Sequence, residues 1–560
     1  MQYPAADIMK ADLHIHSRFS DRSGLWLLQK IGSPESFHAP ADIYRSLTAM
    51  GMTLITITDH NSIQGCLEIQ DKPNTFISAE ITTYFPKDKC KLHVLVYDIT
   101  ESQFVEIDRR RADVFELIAY LQFEHILHAL AHPFFSINER LTVDHLEQCL
   151  LLFKYLEING DQEAFNNQSV RTFAEMYGPA DYERLANRYG FAPGFDQPEQ
   201  KRFIGGSDDH SSLNIGRRYT QVAGAANLSQ FIKGIETGRA TVEGTDATPL
   251  SSGHAIYGIA YQYYRDKLDI ADLVHKDVTL RFLEQILRNA PDCRGVGFIH
   301  RLQNIIESRR IRKRGGMSRA TFLEVVRLEL LKQIEADPEL YRIVRSGMTD
   351  QMSGSDVWFR FIQKLSDRLV AGFLRHIFSR LREQNLFSIF HSLGSAGSLY
   401  ALLAPYFVIF SNHSRDRAFS RAAIDDAANR TGVMPPPRRI KVAHFTDTFY
   451  ETNGVSTTLQ QSVRLAKETD KPLTMITCYP ATDAFSFDGV VNFEPIGAFD
   501  LPEYPELKMH FPPLTELLKY CYEQDFTHIH IATPGLVGLS GYLIARILKL
   551  KVESTYHTEI

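Results

Sequence analysis

The spacing of apolar positions changes twice along this chain. Up to about residue 250, short apolar runs alternate with helical patterns. MTLITIT (52–58), KLHVLVYDI (91–99), ILHALAHPF (126–134) and KYLEING (154–160) each have the length and residue types of a strand. Strands alternating with helices predict a β/α barrel, in which residues at the C-terminal strand ends build the site. Asp59-His60, His132 and Asp208–His210 all stand where an apolar run stops, whereas His93 lies inside its run. From about 255 to 430 the spacing becomes three and four, as in TLRFLEQILRN and RATFLEVVRLELLKQIEA, which predicts amphipathic helices. The run Pro435-Pro436-Pro437 then reads as a stiff linker. Beyond it, RIKVAHFTDT, PLTMITCYP, THIHIATPG and KVESTYHTEI predict the strands of a doubly wound parallel sheet. The last of these strands abuts Ile560, so a further set of strand–helix units is expected beyond it.

These patterns predict an α/β chain of four parts: a distorted barrel at 1–250, a mostly helical region at 251–434, the linker at 435–437 and a partial Rossmann-like domain at 438–560. A length of 560 residues agrees with several cores rather than one. Hydrophobic and charged contents of 44% and 23% are ordinary for soluble protein. A net charge of -6, with no aromatic-and-basic tract, argues against stable nucleic-acid binding. Six cysteines without a C-x-x-C pair fit reduced thiols and a cytoplasmic location, and the N-terminus shows no signal peptide. The most lipid-like stretch, LYALLAPYFVIF (399–410), is interrupted by Pro405 and falls short of the ~20 residues of a spanning helix. A buried helix end is favoured there over membrane contact, and at the basic run Arg309, Arg310, Arg312, Lys313 and Arg314 a solvated helix end is favoured over contact with anionic lipid or phosphate.

Candidate chemistry concentrates in the first 210 residues. His14, His16, Asp21, His60, Glu80, His93, His132, Asp208 and His210 fall within the strings DLHIHSRFSD, TDHN, SAE, KLHVLVYDI, AHP and GGSDDH. Imidazoles and carboxylates without thiolates suit two or three catalytic Mn, Zn or Fe ions. Two residues apart on a strand, His14 and His16 face one side. Glu80 has two oxygens with which to bridge cations. Asp12 and Asp59 adjoin the cluster and are candidates to orient an imidazole from behind. His125, His128, His145 and His254 read as ordinary polar residues.

Residues 1–250 resemble the PHP superfamily, the polymerase and histidinol phosphatase domains. The likeness implies a trinuclear site and hydrolysis of a small phosphorylated substrate by a hydroxide held between cations. It places His14, His16, Glu80 and Asp208 on the first ion. Glu80 bridges to a second ion with His93 and His132, and Asp21, His60 and His210 hold a third. Some members carry a histidine where Asp21 stands. Arg217 or Arg218, in IGRRYT, would pair with the substrate phosphate, and His210 or Asp21 would protonate the leaving alkoxide. Glu157 and Asn159 also match a family string and are read as packing or hydrogen bonding inside the barrel. The insert 161–200 is where specificity is expected to lie.

Residues 438–560 resemble the N-terminal half of a GT-B glycosyltransferase of the family-4 type, through FTDTFYETNGVSTTLQQ, HIHIATPGLVGLSG and STYHTE. That likeness sets Asn453, Gly454 and Val455 near the diphosphate of a sugar nucleotide, where a glycine turn and a helix N-terminus favour phosphate. It sets His557 facing the donor sugar. Sugar transfer from a nucleotide donor to an acceptor is expected only of a complete protein carrying the second Rossmann-like half. The competing readings are transfer as the main activity with the barrel as accessory, and a barrel that binds metal without catalysis.

Overall fold

The structure, a computed structural model, describes residues 8–21, 24, 26–271, 274, 277–288, 322–346, 353–382, 386–435, 437–481, 486–501 and 504–555. By its contacts the chain divides into two units. The first comprises 1–274, 283–292 and 416–435; the second comprises 275–282, 293–415 and 436–560.

In the first unit, strands β1 (Ile8–Ala11), β7 (Arg218–Ala223) and β8 (Ala240–Gly244) form a small antiparallel sheet in the order β1-β7-β8. Strands β2 (Ser78–Tyr84), β3 (Lys91–Tyr97), β4 (Leu127–Leu130), β5 (Tyr155–Asn159) and β6 (Arg202–Gly206) form a mixed sheet in chain order. Within it β2–β3 and β3–β4 are antiparallel, and β4–β5 and β5–β6 are parallel. Irregular backbone bonds then carry the pairing from β6 back to β2. The Asp208 amide donates to the His14 carbonyl (2.6 Å), the Thr58 amide to Ile15 (2.8 Å) and the Glu80 amide to Asp59 (3.2 Å). The backbone pairing of this unit therefore runs in a closed circuit.

The run 52–58 differs from the predicted strand. It touches a neighbour through a single bridge, Ile55 with Thr75, and the next bridge, His60 with Glu80, falls just beyond it. Its threonine hydroxyls do part of the work of a ladder. The Thr58 hydroxyl accepts from the Ile15 amide (2.9 Å), and Thr56 donates to the Phe76 carbonyl (2.9 Å). Side-chain bonds of this kind compete with regular pairing.

Strand β3 shows how the sequence aims its side chains. Leu92, Val94 and Val96 enter the larger core cluster, with the helices Val114–Phe123 and Val143–Leu152. Leu95 and Tyr97 face the other way and pack with Leu13, Ala129 and Ile204. The period of two puts His93 and Lys91 on this second face.

The stretch 251–434 is divided between the two units. Helix Pro249–Lys267 stays with the first, and so does the end of helix Leu386–Thr431. Ala423, Ile424, Ala427 and Ala428, at three- and four-residue spacing, complete the larger cluster. Arg417 clamps Glu163 through two bonds (2.8 and 3.0 Å). Arg430 donates to buried Glu147 (2.7 Å), which also accepts from Tyr177 (3.0 Å) and Tyr189 (2.5 Å). Replacing Arg430 with alanine leaves that buried carboxylate short of a donor, at a cost of about 1–3 kcal/mol. Urea unfolding of the variant followed by circular dichroism is expected to show a lower midpoint with an unchanged slope.

In the second unit, β9 (Val442–Phe445), β10 (Leu473–Cys478), β11 (Val490–Phe493), β14 (His528–Ile531) and β15 (Lys551–Ser554) form a parallel sheet in the order β11-β10-β9-β14-β15. The strands β12 (Gly497–Leu501) and β13 (Tyr504–Phe511) pair antiparallel beside it in sequence. Strand order reverses between β9 and β14, and in such sheets a crevice opens at the C-terminal strand ends there. No helix among the described residues is long and apolar enough to cross a membrane.

Candidate metal centre

His14 and His16 flank Ile15, which is fully buried on the opposite side. Close approach of two backbones holds this segment, because a Cβ on Gly206 would lie 2.3 Å from both the amide nitrogen and the Cβ of His14. The two imidazoles bring their Nε2 atoms to 3.1 Å of one another. Asp208 Oδ1 lies 3.2 Å from each. Glu80 sits at the centre. Its Oε1 is 2.7 Å from His93 Nδ1 and 3.1 Å from His132 Nε2, while its Oε2 is 2.8 Å from His60 Nδ1 and 3.3 Å from His14 Nε2. His210 stacks on His16 with ring centroids 4.0 Å apart. Eight of the nine predicted donors thus meet in one place.

Asp21 is the exception. It is exposed, and Glu35 stands beside His60 and His210 instead. Glu35 lies in the polar string IGSPES, outside every apolar run, so periodicity holds no signal for it.

The surroundings set which ring nitrogen is available. His14 Nδ1 donates to Glu157 (2.7 Å), leaving Nε2 toward the centre. His210 Nδ1 donates to the Asp208 carbonyl (3.0 Å), again leaving Nε2. His16 Nδ1 contacts the Ser20 hydroxyl (2.9 Å), which donates to Asp59 (2.9 Å). Among the described residues Asp59 therefore reaches an imidazole only through Ser20. Asp12 bonds no imidazole among the described residues: it accepts from the amides of His14 (3.2 Å), Ser207 (2.8 Å) and Gly216 (3.0 Å) and so ties two site loops together. Burial pushes its carboxyl up to about 7. The carboxylate that directly orients a ligand-type histidine is Glu157. It also accepts from the His132 amide (2.8 Å) and from Asn159 (3.0 Å), whose amide group reaches Asp208 Oδ2 (3.0 Å). His132 (φ 28°) and Asp208 (φ 54°) hold left-handed backbone, a strain that persists where surrounding contacts over-determine it.

Electrostatics within the cluster are strongly polarised. Burial opposes a charge on His14, yet Asp208, Glu157 and Glu80 outweigh it and raise the imidazole well above its usual range. Burial also opposes ionisation of Glu80, but His93, His60 and His14 hold it well below the carboxylate range. Burial and His210 lower His16 to about 3, and burial lowers His93 to about 4. Acidic surroundings that favour a proton favour a divalent cation in its place, so uptake would release protons.

The residues fit divalent cations. Glu35 Oε2, His60 Nδ1, Glu80 Oε2, both ring nitrogens of His93 and His210 Nε2 are buried, and the close contacts among them lack hydrogen-bond geometry, so none has a hydrogen bond among the described residues. Buried polar atoms are rarely left so. Three groupings bring ligand atoms within 4.8 Å of one another: His14, His16 and Asp208; His60, Glu80 and His93; His16, His60 and His210. The set is nitrogen and oxygen throughout, which suits Mn, Fe or Zn in a catalytic role.

Arg217 donates to Ser251 (3.1 Å) and to Asn214, and Arg218 pairs with Asp246, so both arginines are engaged within their own unit. In the second unit, Asn453 caps helix Gly454–Glu468 by accepting from the Ser456 amide (2.8 Å). Gly454 has open space where a side chain would stand, and Val455 packs on the small cluster of Phe449 and Leu459. The neighbouring helix Leu536–Leu548 already receives a carboxylate, since Asp447 accepts from the amides of Val537 (2.7 Å) and Gly538 (3.2 Å). His557 lies outside the described residues.

No family model matches the chain. An uncharacterized protein of Methanocaldococcus jannaschii is 36% identical over 80 residues, 13% of this chain and 45% of that protein. The match thus spans about half the length of that curated relative. Among solved structures, PsfC from Pseudomonas syringae PB-5123 is similar over 47% of this chain and 99% of its own, at 14% identity and a TM-score of 0.28. A proposed metal-dependent phosphoesterase from Bifidobacterium adolescentis is similar over 42% and 96%, at 13% identity and 0.27. An amidohydrolase from Chromobacterium violaceum is similar over 37% and 89%, at 14% identity and 0.25. Likenesses of this size leave the geometry of the centre as the ground for a functional reading.

Proposed function

We propose that the first unit is a metal-dependent phosphoesterase of the PHP type, its closed backbone circuit being the distorted barrel of that fold. The observation that carries this reading is the convergence of six imidazoles on Glu80 and Asp208, with buried donor atoms left without hydrogen bonds. Two or three divalent cations bound there would supply Lewis-acid charge for phosphoryl oxygens and a strong nucleophile at neutral pH. The chain's own residues divide the remaining tasks. Glu80 offers one oxygen to the His93–His132 side and the other to the His60–His14 side. Glu157 and Asn159 fix His14, His132 and Asp208 from behind, which keeps the donors in place between turnovers. Lys91 binds the substrate phosphate. It lies on the strand face of His93, in the field of Glu80 and Glu35, and its ammonium has no partner among the described residues. Arg217, committed to Ser251 and Asn214, braces the loop instead.

Losing one charge-assisted hydrogen bond to phosphate costs roughly 1.5–3 kcal/mol, or about 10- to 100-fold in kcat/KM. Lys91→Met is expected to show that loss with unchanged metal content. Steady-state kinetics on a phosphomonoester beside elemental analysis would check it, and unchanged kcat/KM would remove Lys91 from the role.

The parallel sheet of the second unit and the Asn453-Gly454-Val455 turn support a glycosyltransferase N-terminal half, with a sugar nucleotide and an acceptor as its partners. Isothermal titration of the chain with nucleotide sugars tests this part separately, and no heat with any common donor would count against it.

A further inference from the structure

We propose that Glu35 takes the ligand position that the family likeness gives to Asp21, so that Glu35, His60 and His210 hold the third cation. This inference rests on the metal-centre reading above and adds to it a residue that no motif assigns. The carboxylate is built into the site rather than placed by chance. Glu35 Oε1 accepts from the Gly24 amide (2.9 Å), which fixes the group and turns Oε2 inward. Oε2 then lies 3.2 Å from His60 Nε2 and 4.0 Å from His210 Nε2. It is buried, and among the described residues its contact with His60 lacks hydrogen-bond geometry and no other donor reaches it. His210 Nε2 is in the same condition, since its Nδ1–H is already given to the Asp208 carbonyl. Two imidazole nitrogens and one carboxylate oxygen, aimed at one another across a buried gap, form the donor set that a divalent cation of the Mn, Fe or Zn type accepts. Asp21, by contrast, is exposed.

A purely structural role is the competing account: Glu35 would orient His60 by a hydrogen bond and touch no ion. The two differ in metal content. The full chain is loaded with Mn²⁺, freed of excess by gel filtration and analysed for manganese per protein, as the unmodified protein, Glu35→Gln and Asp21→Asn. Circular dichroism confirms that each variant is folded, and Mn²⁺-induced shifts in melting temperature give a second readout. The expected result is about one equivalent fewer in Glu35→Gln, with a smaller Mn²⁺-induced shift, and no change in Asp21→Asn. Equal content in all three proteins, or a loss in Asp21→Asn, overturns the assignment. Failure of the phosphoesterase reading looks different: the unmodified protein would hold manganese and cleave no ester, which leaves the ligand assignment standing.

Discussion

Asp208→Ala is expected to lower phosphomonoester turnover by about 10³-fold or more, since bound cations supply several kcal/mol of transition-state stabilisation and each 1.36 kcal/mol is tenfold. The reason lies in its position. One oxygen of Asp208 is shared between His14 and His16, and the other is held by Asn159. Removing the carboxylate leaves two buried imidazoles facing each other at 3.1 Å with less negative charge to balance a cation. Manganese content should fall together with turnover, and the fold should survive, because Asp208 is only partly buried and contributes to no apolar cluster. Unchanged turnover in the purified variant would refute the assigned site.

The second large effect concerns stability. The centre collects Glu35, Glu80, Glu157 and Asp208 with six histidines in a buried volume. A ligand that binds only the folded chain stabilises it by RT ln(1 + [L]/Kd), about 4 kcal/mol at 1,000 times Kd. Mn²⁺ is therefore expected to raise the unfolding midpoint of the full chain by several degrees, and chelation to reverse it. Differential scanning calorimetry with and without chelator checks this. A midpoint indifferent to Mn²⁺ would mean that the donors do not act together.

Much of the centre was legible in the sequence because its donors follow apolar runs. His132 comes two residues after β4, and Asp208 two residues after β6. His93 looked misplaced inside its run, yet the period of two turns it inward with Leu95 and Tyr97. Glu35 was not legible, since a carboxylate in a loop between Pro34 and Ser36 carries no periodicity and reaches the site only through the path of the chain. Glu157 reads in the sequence as packing or hydrogen bonding inside the barrel, and the structure shows the hydrogen bonding; that its partner is His14, 143 residues away, is what the sequence does not show. Asp12 and Asp59 adjoin ligands in sequence, but their oxygens are taken by amides and hydroxyls. The helical stretch 251–434 read as one region because amphipathic spacing gives a helix's apolar face without naming its partner. The structure hands residues 416–435 to the first unit through Ala427, Arg417 and Arg430. In the second unit, alternating strands and helices announced a parallel sheet, whereas the order β11-β10-β9-β14-β15 is a matter of long-range pairing.

The most direct measurement is Mn²⁺-dependent hydrolysis of a phosphomonoester panel by the full chain, assayed as loaded, after chelation and after Mn²⁺ is restored. The account predicts release of inorganic phosphate from at least one ester, lost on chelation and recovered with the metal. Manganese-loaded protein that cleaves none of the panel, or cleavage that persists once the metal is removed, would contradict it.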